Sequence, residues 1–190
     1  MRVVTYDYEP TATPADLAKA SDLVIVGEIV GVEKGQSYVP LPGAEVDGDV
    51  SSVIQVKVDE TLFGDAALAA DGIVHLQVTH PAYVGDGPGG EGLVPFDHAA
   101  FEATVPIGTS GVFFLEDITD RPVYEFVIDE GAGRPAGAAL CATPVQGFLL
   151  ESRDGSLVSV YEGLDSMASA WRQLESMDDL RLAIVEASTS

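Results

Sequence analysis

The residues best suited to chemistry are three histidines, because neutral imidazole binds zinc and titrates near neutral pH. His80 and His98 flank a glycine-rich stretch, and Glu102 follows His98 by four residues, so a helical turn would place those two side chains on one face. The spacing suggests a metal site of His80, His98 and Glu102, which Cys141 could join, or a general base for a small hydrolase. The competing interpretation is structural, since zinc ligands normally occur in closer pairs.

A second possible metal site is the acidic stretch "DGDVSS". Asp47 and Asp49 alternate as they would in an EF-hand loop, but Ser52 stands at position six and Val58 at position twelve, where a ligand is required. With Glu45, these carboxylates would hold calcium only loosely. A solvated acidic loop is the competing interpretation.

The other motifs associated with catalysis are incomplete. "GAGRPAG" lacks the third glycine of a dinucleotide-binding turn, and no Gly-Lys-Ser/Thr sequence occurs for a phosphate loop. "GTSG" resembles a nucleophile elbow, but Val112 occupies the last glycine position. We therefore expect no cofactor and no catalytic residue, although a site assembled from distant residues remains the alternative.

The charge of the chain limits its partners. It carries 31 acidic and 9 basic residues, a formal net charge of −22. A polyanion of this density repels phosphate backbones and anionic headgroups, so we expect no nucleic acid binding. The most apolar stretch, "LVIVGEIVGV", is interrupted by Glu28 and too short to span a bilayer, so we expect no membrane insertion. The acidity suits an exported protein, or a cytosolic protein adapted to high salt. The start "MRVVTYDYEP" has no signal-peptide core, so an exported protein would have had its leader removed.

Hydrophobic alternation predicts a mainly β fold. "LVIVGEIVGVE", "SSVIQVKVDETLFGD", "IVHLQVTH", "SGVFFLED" and "PVYEFVID" each alternate or form an apolar run, and "VQGFLLES" with "SLVSVYE" predicts a final hairpin. Gly27 and Gly31 lie inside the first strand, where they predict a bulge or sharp bend of the kind that closes small barrels. In the second strand, Lys57 is expected on a solvent-facing side, paired with a neighbouring acid.

Helices are expected at both ends of this β region. Thr13 and Pro14 begin a short helix before the first strand, and Asp165 and Ser176 are expected to cap two helices of a C-terminal tail. We divide the chain into a barrel domain, residues 1–162, and a helical tail, residues 163–190, packed on the barrel.

Two long loops, residues 34–50 and 81–103, are expected to form a recognition surface near one end of the barrel. Their aromatic side chains either fold back over the barrel as anchors or contact a partner. The candidate binding residues are Tyr38, Tyr83, Phe96 and Phe101.

The order of "LAKASDLVIVGEIVGVE", "VIQVKVDETLFGD", "GVFFLED" and "VQGFLLESRDGSLV" resembles that in a broad group of uncharacterised bacterial exported proteins. Their fold is similar to the OB-like barrel of netrin-type domains and of tissue inhibitors of metalloproteinases. This resemblance implies a small antiparallel OB-like barrel and export. It implies no inhibitory residue, because those inhibitors use an amino-terminal cysteine and Cys141 is the only cysteine in this chain.

These observations favour a non-catalytic, extracytoplasmic binding module, secreted or on the cell surface, that recognises a protein or small ligand through its loops. We expect a monomer or a weak homo-oligomer. The alternatives are a small hydrolase or metal-dependent enzyme with its site in residues 80–102, and a salt-adapted cytosolic protein.

Overall fold

The computed structural model describes residues 11–39, 48–84, 94–120, 126–161 and 167–188. Within these residues the protein is mainly β, as predicted, with small helices at both ends of the β region. The strands are β1 (Leu23–Val39), β2 (Asp49–Gly64), β3 (Ile73–Pro81), β4 (Tyr83–Val84), β5 (Val94–Pro95), β6 (Ser110–Asp117), β7 (Phe126–Ile128), β8 (Cys141–Ala142), β9 (Phe148–Glu151) and β10 (Leu157–Ser159). The α-helices are α1 (Pro14–Ala20), α2 (His98–Glu102), α3 (Ser169–Arg172) and α4 (Met177–Ser188), and a 3-10 helix spans Ala66–Gly72.

Five of the strands form a closed ring. β1 pairs with β2 along one edge and with β6 along the other, and β2 continues to β3. The short strand β8 completes the ring, because it is parallel to β3 and antiparallel to β6. β9 and β10 extend the sheet beyond β6, and β7 pairs with the far end of β1.

The bend that allows this closure lies in β1. Its pairing with β2 shifts register four times, including between Val26 and Gly27 and between Ile29 and Gly31, which confirms the predicted irregularity. A Cβ atom on Gly27 would lie 2.5 Å from the carbonyl oxygen of Lys57, so only glycine permits this close approach. β1 can therefore pair with β6 over residues 23–28 and with β7 over residues 37–39.

The two faces of the curved sheet bury two separate clusters. Because side chains alternate along a strand, neighbours such as Ile25 and Val26 contribute to different clusters. The ring interior contains Leu23, Ile25, Ile29, Ile54, Val56, Val74, Leu76, Phe113, Leu115, Cys141 and Phe148. The outer cluster joins the sheet to the helices and contains Leu17, Ala18, Val24, Val26, Val112, Phe114, Leu149, Leu157, Met167, Trp171, Met177, Leu180 and Ile184.

The starts of α1 and α4 follow the predicted capping signals. The Thr13 hydroxyl accepts a hydrogen bond from the Asp16 amide at 3.1 Å, and Pro14 begins α1. The Ser176 hydroxyl accepts from the Asp179 amide at 3.2 Å at the start of α4. The predicted Asp165 cap is wrong, because the N-cap of α3 is Ala168, which makes no side-chain cap hydrogen bond. The domain boundary predicted after residue 162 lies outside the described residues.

Both predicted loops are more regular than the sequence indicated. β1 continues through Val39, so residues 34–39 are strand, and β2 already begins at Asp49. The segment 81–103 contains the β4–β5 pair and α2. Strands of two residues and a single helical turn are too short to produce a detectable hydrophobic periodicity, so the sequence did not indicate them. Residues 40–47 and 85–93 lie outside the described residues.

The outer face of β2 is only partly in water. Lys57 is exposed and its Nζ lies 3.7 Å from Asp59 Oδ1, as predicted, an ion pair worth a few tenths of a kcal/mol at such exposure. Val53, further back on the same strand, is buried against Ile118 and Leu140. The segment that leads into β8 therefore covers one end of this face.

Candidate functional site

A pocket of about 360 Å³ opens at one end of the ring, which we call the mouth pocket. Its floor is continuous with the ring interior, since Ile29, Ile54 and Phe148 belong to both. The end of β3, the α2 segment and the β9–β10 hairpin form its walls. The lining residues are Ile29, Ile54, Val78, Thr79, His80, Phe101, Thr104, Val105, Pro106, Phe148, Leu150, Val160 and Tyr161.

His80 at the end of β3 and two phenylalanines from the predicted 81–103 loop form an aromatic cluster beside this pocket. The His80 ring stacks on Phe96 with centroids 4.1 Å apart and meets Phe101 edge-on at 4.5 Å. The Phe96 and Phe101 rings are 6.0 Å apart. All three side chains are partly exposed, so they lie at the boundary between the core and solvent.

Local hydrogen bonds explain why these rings meet. The Phe96 amide donates to the Ala82 carbonyl at 2.9 Å, which holds the returning chain beside the end of β3. Asp97 then caps α2, because its carboxylate accepts from the Ala100 amide at 3.1 Å. This single helical turn places Phe101 against His80 and over the mouth pocket.

His80 has an unusual environment for a polar side chain. Its Nε2 is buried and has no hydrogen-bond partner among the residues that the structure describes. Burial, and secondly the nearby charge of His98, lower the pKa of His80 below its ordinary value of 6.5. The imidazole is therefore neutral at pH 7, with one nitrogen able to donate and the other able to accept.

His98 is held by a different contact. Its Nδ1 lies 3.0 Å from the Ser52 hydroxyl, which belongs to β2. Ser52 is fully buried, so this hydroxyl has no access to a substrate. The contact resembles half of a nucleophilic dyad, but its burial makes it a structural bond between α2 and β2.

The structure does not bring the predicted metal ligands together. His80 and His98 are neighbours, whereas Glu102 lines a separate groove with Val30 and Gln55. Cys141 is buried in the ring interior, where burial, Asp117 and Asp22 raise the pKa of its thiol to about 12.

Within the described ranges, no three His, Cys, Asp or Glu side chains are arranged to hold a metal ion. Asp49 begins β2 opposite Tyr38 and Pro81, and Asp47 lies outside the described residues. The calcium site proposed for this pair stays a prediction.

Of the remaining predicted binding residues, Tyr38 serves as an anchor. It is only 3 % exposed and its hydroxyl donates to Gln77 Oε1 at 2.8 Å, so it packs on the sheet. Tyr83 belongs to β4, whose backbone pairs with β5. The position of the Tyr83 side chain lies outside what the structure describes.

The pocket wall formed by the β9–β10 hairpin was not predicted. It contributes Phe148, Leu150, Val160 and Tyr161, which are about 70 to 80 residues away from His80 in sequence. Apolar residues in a predicted hairpin carry no sign that they will face a pocket. Only the pairing of β9 with β6 brings them to the mouth.

Comparisons of the chain with protein-family models, with curated proteins and with solved structures found no match. None of the helices in the described ranges has both the length and the apolarity required to cross a membrane.

Proposed function

We propose that this protein is a non-catalytic, extracytoplasmic binding module that recognises a small ligand, or a side chain of a partner protein, in the mouth pocket. The observation that carries the proposal is the pocket itself, a partly open apolar cavity flanked by the His80, Phe96 and Phe101 rings. Binding sites in proteins are typically concave, mainly apolar and equipped with a few polar groups. This pocket has Thr79, His80 and Thr104 in that role.

The OB-like fold is part of the same proposal. A five-strand ring with one short closing strand supports it, since OB folds are small, partly open five-stranded barrels. The position of α2 between β3 and β6, at one end of the ring, also fits a barrel whose end is closed by a helical segment. The likeness to exported proteins with netrin-type domains rests on the sequence signatures alone.

Export is proposed from the acidity of the chain together with that likeness. The alternative is a salt-adapted cytosolic protein, for which the net charge of −22 would reflect the solvent. Urea unfolding at several KCl concentrations separates the two. Marked unfolding at low salt would favour the salt-adapted alternative, and a stable fold in dilute buffer would favour export.

Binding in the mouth pocket is tested with N-phenyl-1-naphthylamine, a neutral fluorophore that brightens in apolar surroundings. We expect saturable binding to the full chain and at least tenfold weaker binding to Phe101→Ala, because Phe101 forms part of the pocket wall. Leu182→Ala is the matched control, since Leu182 is an apolar side chain on α4 that is 61 % exposed. No saturable signal, or equal loss in both variants, would contradict the proposal.

A further inference from the structure

The lining of the mouth pocket selects against charged ligands. None of its thirteen described lining residues carries a full charge at pH 7, given a neutral His80. A charged group placed there would lose its hydration without meeting an opposite charge, which is strongly unfavourable. The net charge of −22 further repels anions from the whole surface.

The size and shape of the pocket favour a small ring system. At the packing density of protein interiors, 360 Å³ accommodates roughly 20 non-hydrogen atoms. Phe101, Phe148 and Tyr161 present aromatic rings along the wall, where offset or edge-on contacts with another ring are favourable. A one-ring or two-ring aromatic ligand satisfies both conditions.

The buried Nε2 of His80 determines which polar group a ligand of this pocket should carry. Buried polar atoms in proteins almost always have a hydrogen-bond partner, so an atom without one marks a place where a partner is missing. Either tautomer of a neutral imidazole is possible, so Nε2 either donates or accepts. A hydroxyl group complements both tautomers, because it can donate and accept.

We propose that the mouth pocket binds a small neutral aromatic alcohol whose hydroxyl group forms a hydrogen bond with His80 Nε2. This inference rests on the proposed function and adds the chemical class of the ligand. Because Nε2 is not exposed to solvent, admission of the hydroxyl requires a shift of the partly exposed Phe96 and Phe101 rings that flank His80.

The test compares three probes of nearly equal size by calorimetric titration of the full chain at pH 7. 2-Naphthol carries the hydroxyl, 2-methylnaphthalene replaces it with a methyl group, and 2-naphthoate replaces it with an anion. We expect 2-naphthol to bind at least tenfold more tightly than 2-methylnaphthalene, and 2-naphthoate to bind more weakly than either. Equal binding of 2-naphthol and 2-methylnaphthalene, or tight binding of 2-naphthoate, would overturn the inference.

Variants locate the hydroxyl contact. His80→Phe keeps an aromatic ring beside Phe96 but removes Nε2, so we expect the preference for 2-naphthol to disappear while 2-methylnaphthalene binds as before. His80→Gln restores a polar atom near that position and should restore part of the preference, and His80→Leu repeats the deletion with a smaller side chain. Thr61→Val, which removes an exposed hydroxyl on β2 outside the pocket lining, is the matched control and should leave the preference unchanged.

The outcomes separate this inference from the proposed function. A preference that survives His80→Phe and His80→Leu, or that disappears in Thr61→Val, would overturn the inference. If N-phenyl-1-naphthylamine binds but none of the three probes shows the preference, the binding function stands and only the ligand class fails. If no neutral probe binds, both fail.

Discussion

The helix-covered face of the sheet and the open mouth of the ring both hold aromatic side chains in contact, but only the first is sealed from water. Phe114 and Trp171 are fully buried with centroids 6.0 Å apart, and the Trp171 indole donates to the Thr11 carbonyl at 3.0 Å. At the mouth, His80 and Phe96 stack closely but remain partly exposed, and His80 Nε2 has no partner among the described residues.

The cluster of Phe114 and Trp171 therefore supports the fold, whereas the cluster of His80 and Phe96 is available for binding. A core gains stability when apolar area is buried and each polar atom is paired, as around Trp171. An unpaired buried nitrogen lowers stability by about 1–3 kcal/mol, so a protein retains one mainly where another role favours it. Among the pocket-lining side chains, His80 is the one with such an unpaired buried atom in the described residues.

The largest expected effect is that of Trp171→Ala. Removal of a fully buried indole at the junction of α3, α4 and the sheet should lower the free energy of unfolding by about 3–5 kcal/mol. Urea unfolding followed by circular dichroism measures it, with Leu182→Ala on the exposed side of α4 as the control. A loss below about 1 kcal/mol would show that the helical layer does not belong to the folded core.

The ring interior should be sealed almost as firmly, and Cys141 reports on it. Its pKa of about 12, against an ordinary value of 9.0, reduces the thiolate fraction at pH 8 about 1000-fold. We expect iodoacetamide to modify Cys141 at least that much more slowly in the folded protein than in urea. Rapid alkylation in native buffer would mean that the ring opens near β8.

Phe96→Ala should lower the free energy of unfolding far less than Trp171→Ala. The ring is partly exposed and its main described contact is the stack on His80, so we expect a loss of about 1 kcal/mol. The same urea titration provides the measurement. A loss equal to that of Trp171→Ala would remove the distinction between a sealed cluster and an open one.

Acidification should also separate the two regions. Because the folded pKa of His80 lies below 6.5, its neutral form contributes stability that is present above pH 6.5 and is lost as the pH falls through the folded value. We expect the difference in stability between the wild type and His80→Phe to change across this range, with His80→Phe less sensitive to acid. Identical pH profiles would contradict the assigned environment of His80.

The smallest effect is expected in the turn between β9 and β10. Hydrogen bonds from Ser152 and Ser156 lower the pKa of Asp154 to about 2 from 3.8. The contribution of the ionised Asp154 carboxylate to the stability of the turn is therefore present above pH 3.8 and is lost as the pH falls through about 2. A carboxyl NMR titration of Asp154 measures this pKa directly, and a value near 3.8 would show that the turn is not formed as described.

The sequence determined the elements of the protein through local physics. Alternation placed the long strands, and Thr13 and Ser176 began their helices because their hydroxyls satisfy free backbone amides. Gly27 and Gly31 indicated where β1 must bend, and composition indicated an acidic surface. Phe96 and Phe101 were recognised as aromatic side chains that either anchor or bind.

Which of these residues come into contact depends on pairings between strands that are far apart in the sequence. The two-residue strand β8 closes the ring through pairings with β3 and β6, and such a short strand has no periodicity to detect. The mouth pocket combines His80 with side chains of the β9–β10 hairpin, and nothing local to either segment signals the other. The proposed metal ligands His98 and Glu102 face different parts of the fold, since His98 contacts Ser52 and Glu102 lines a separate groove. Their spacing of four residues fixes their relation along a helix, but it does not determine which residues of other segments each side chain meets.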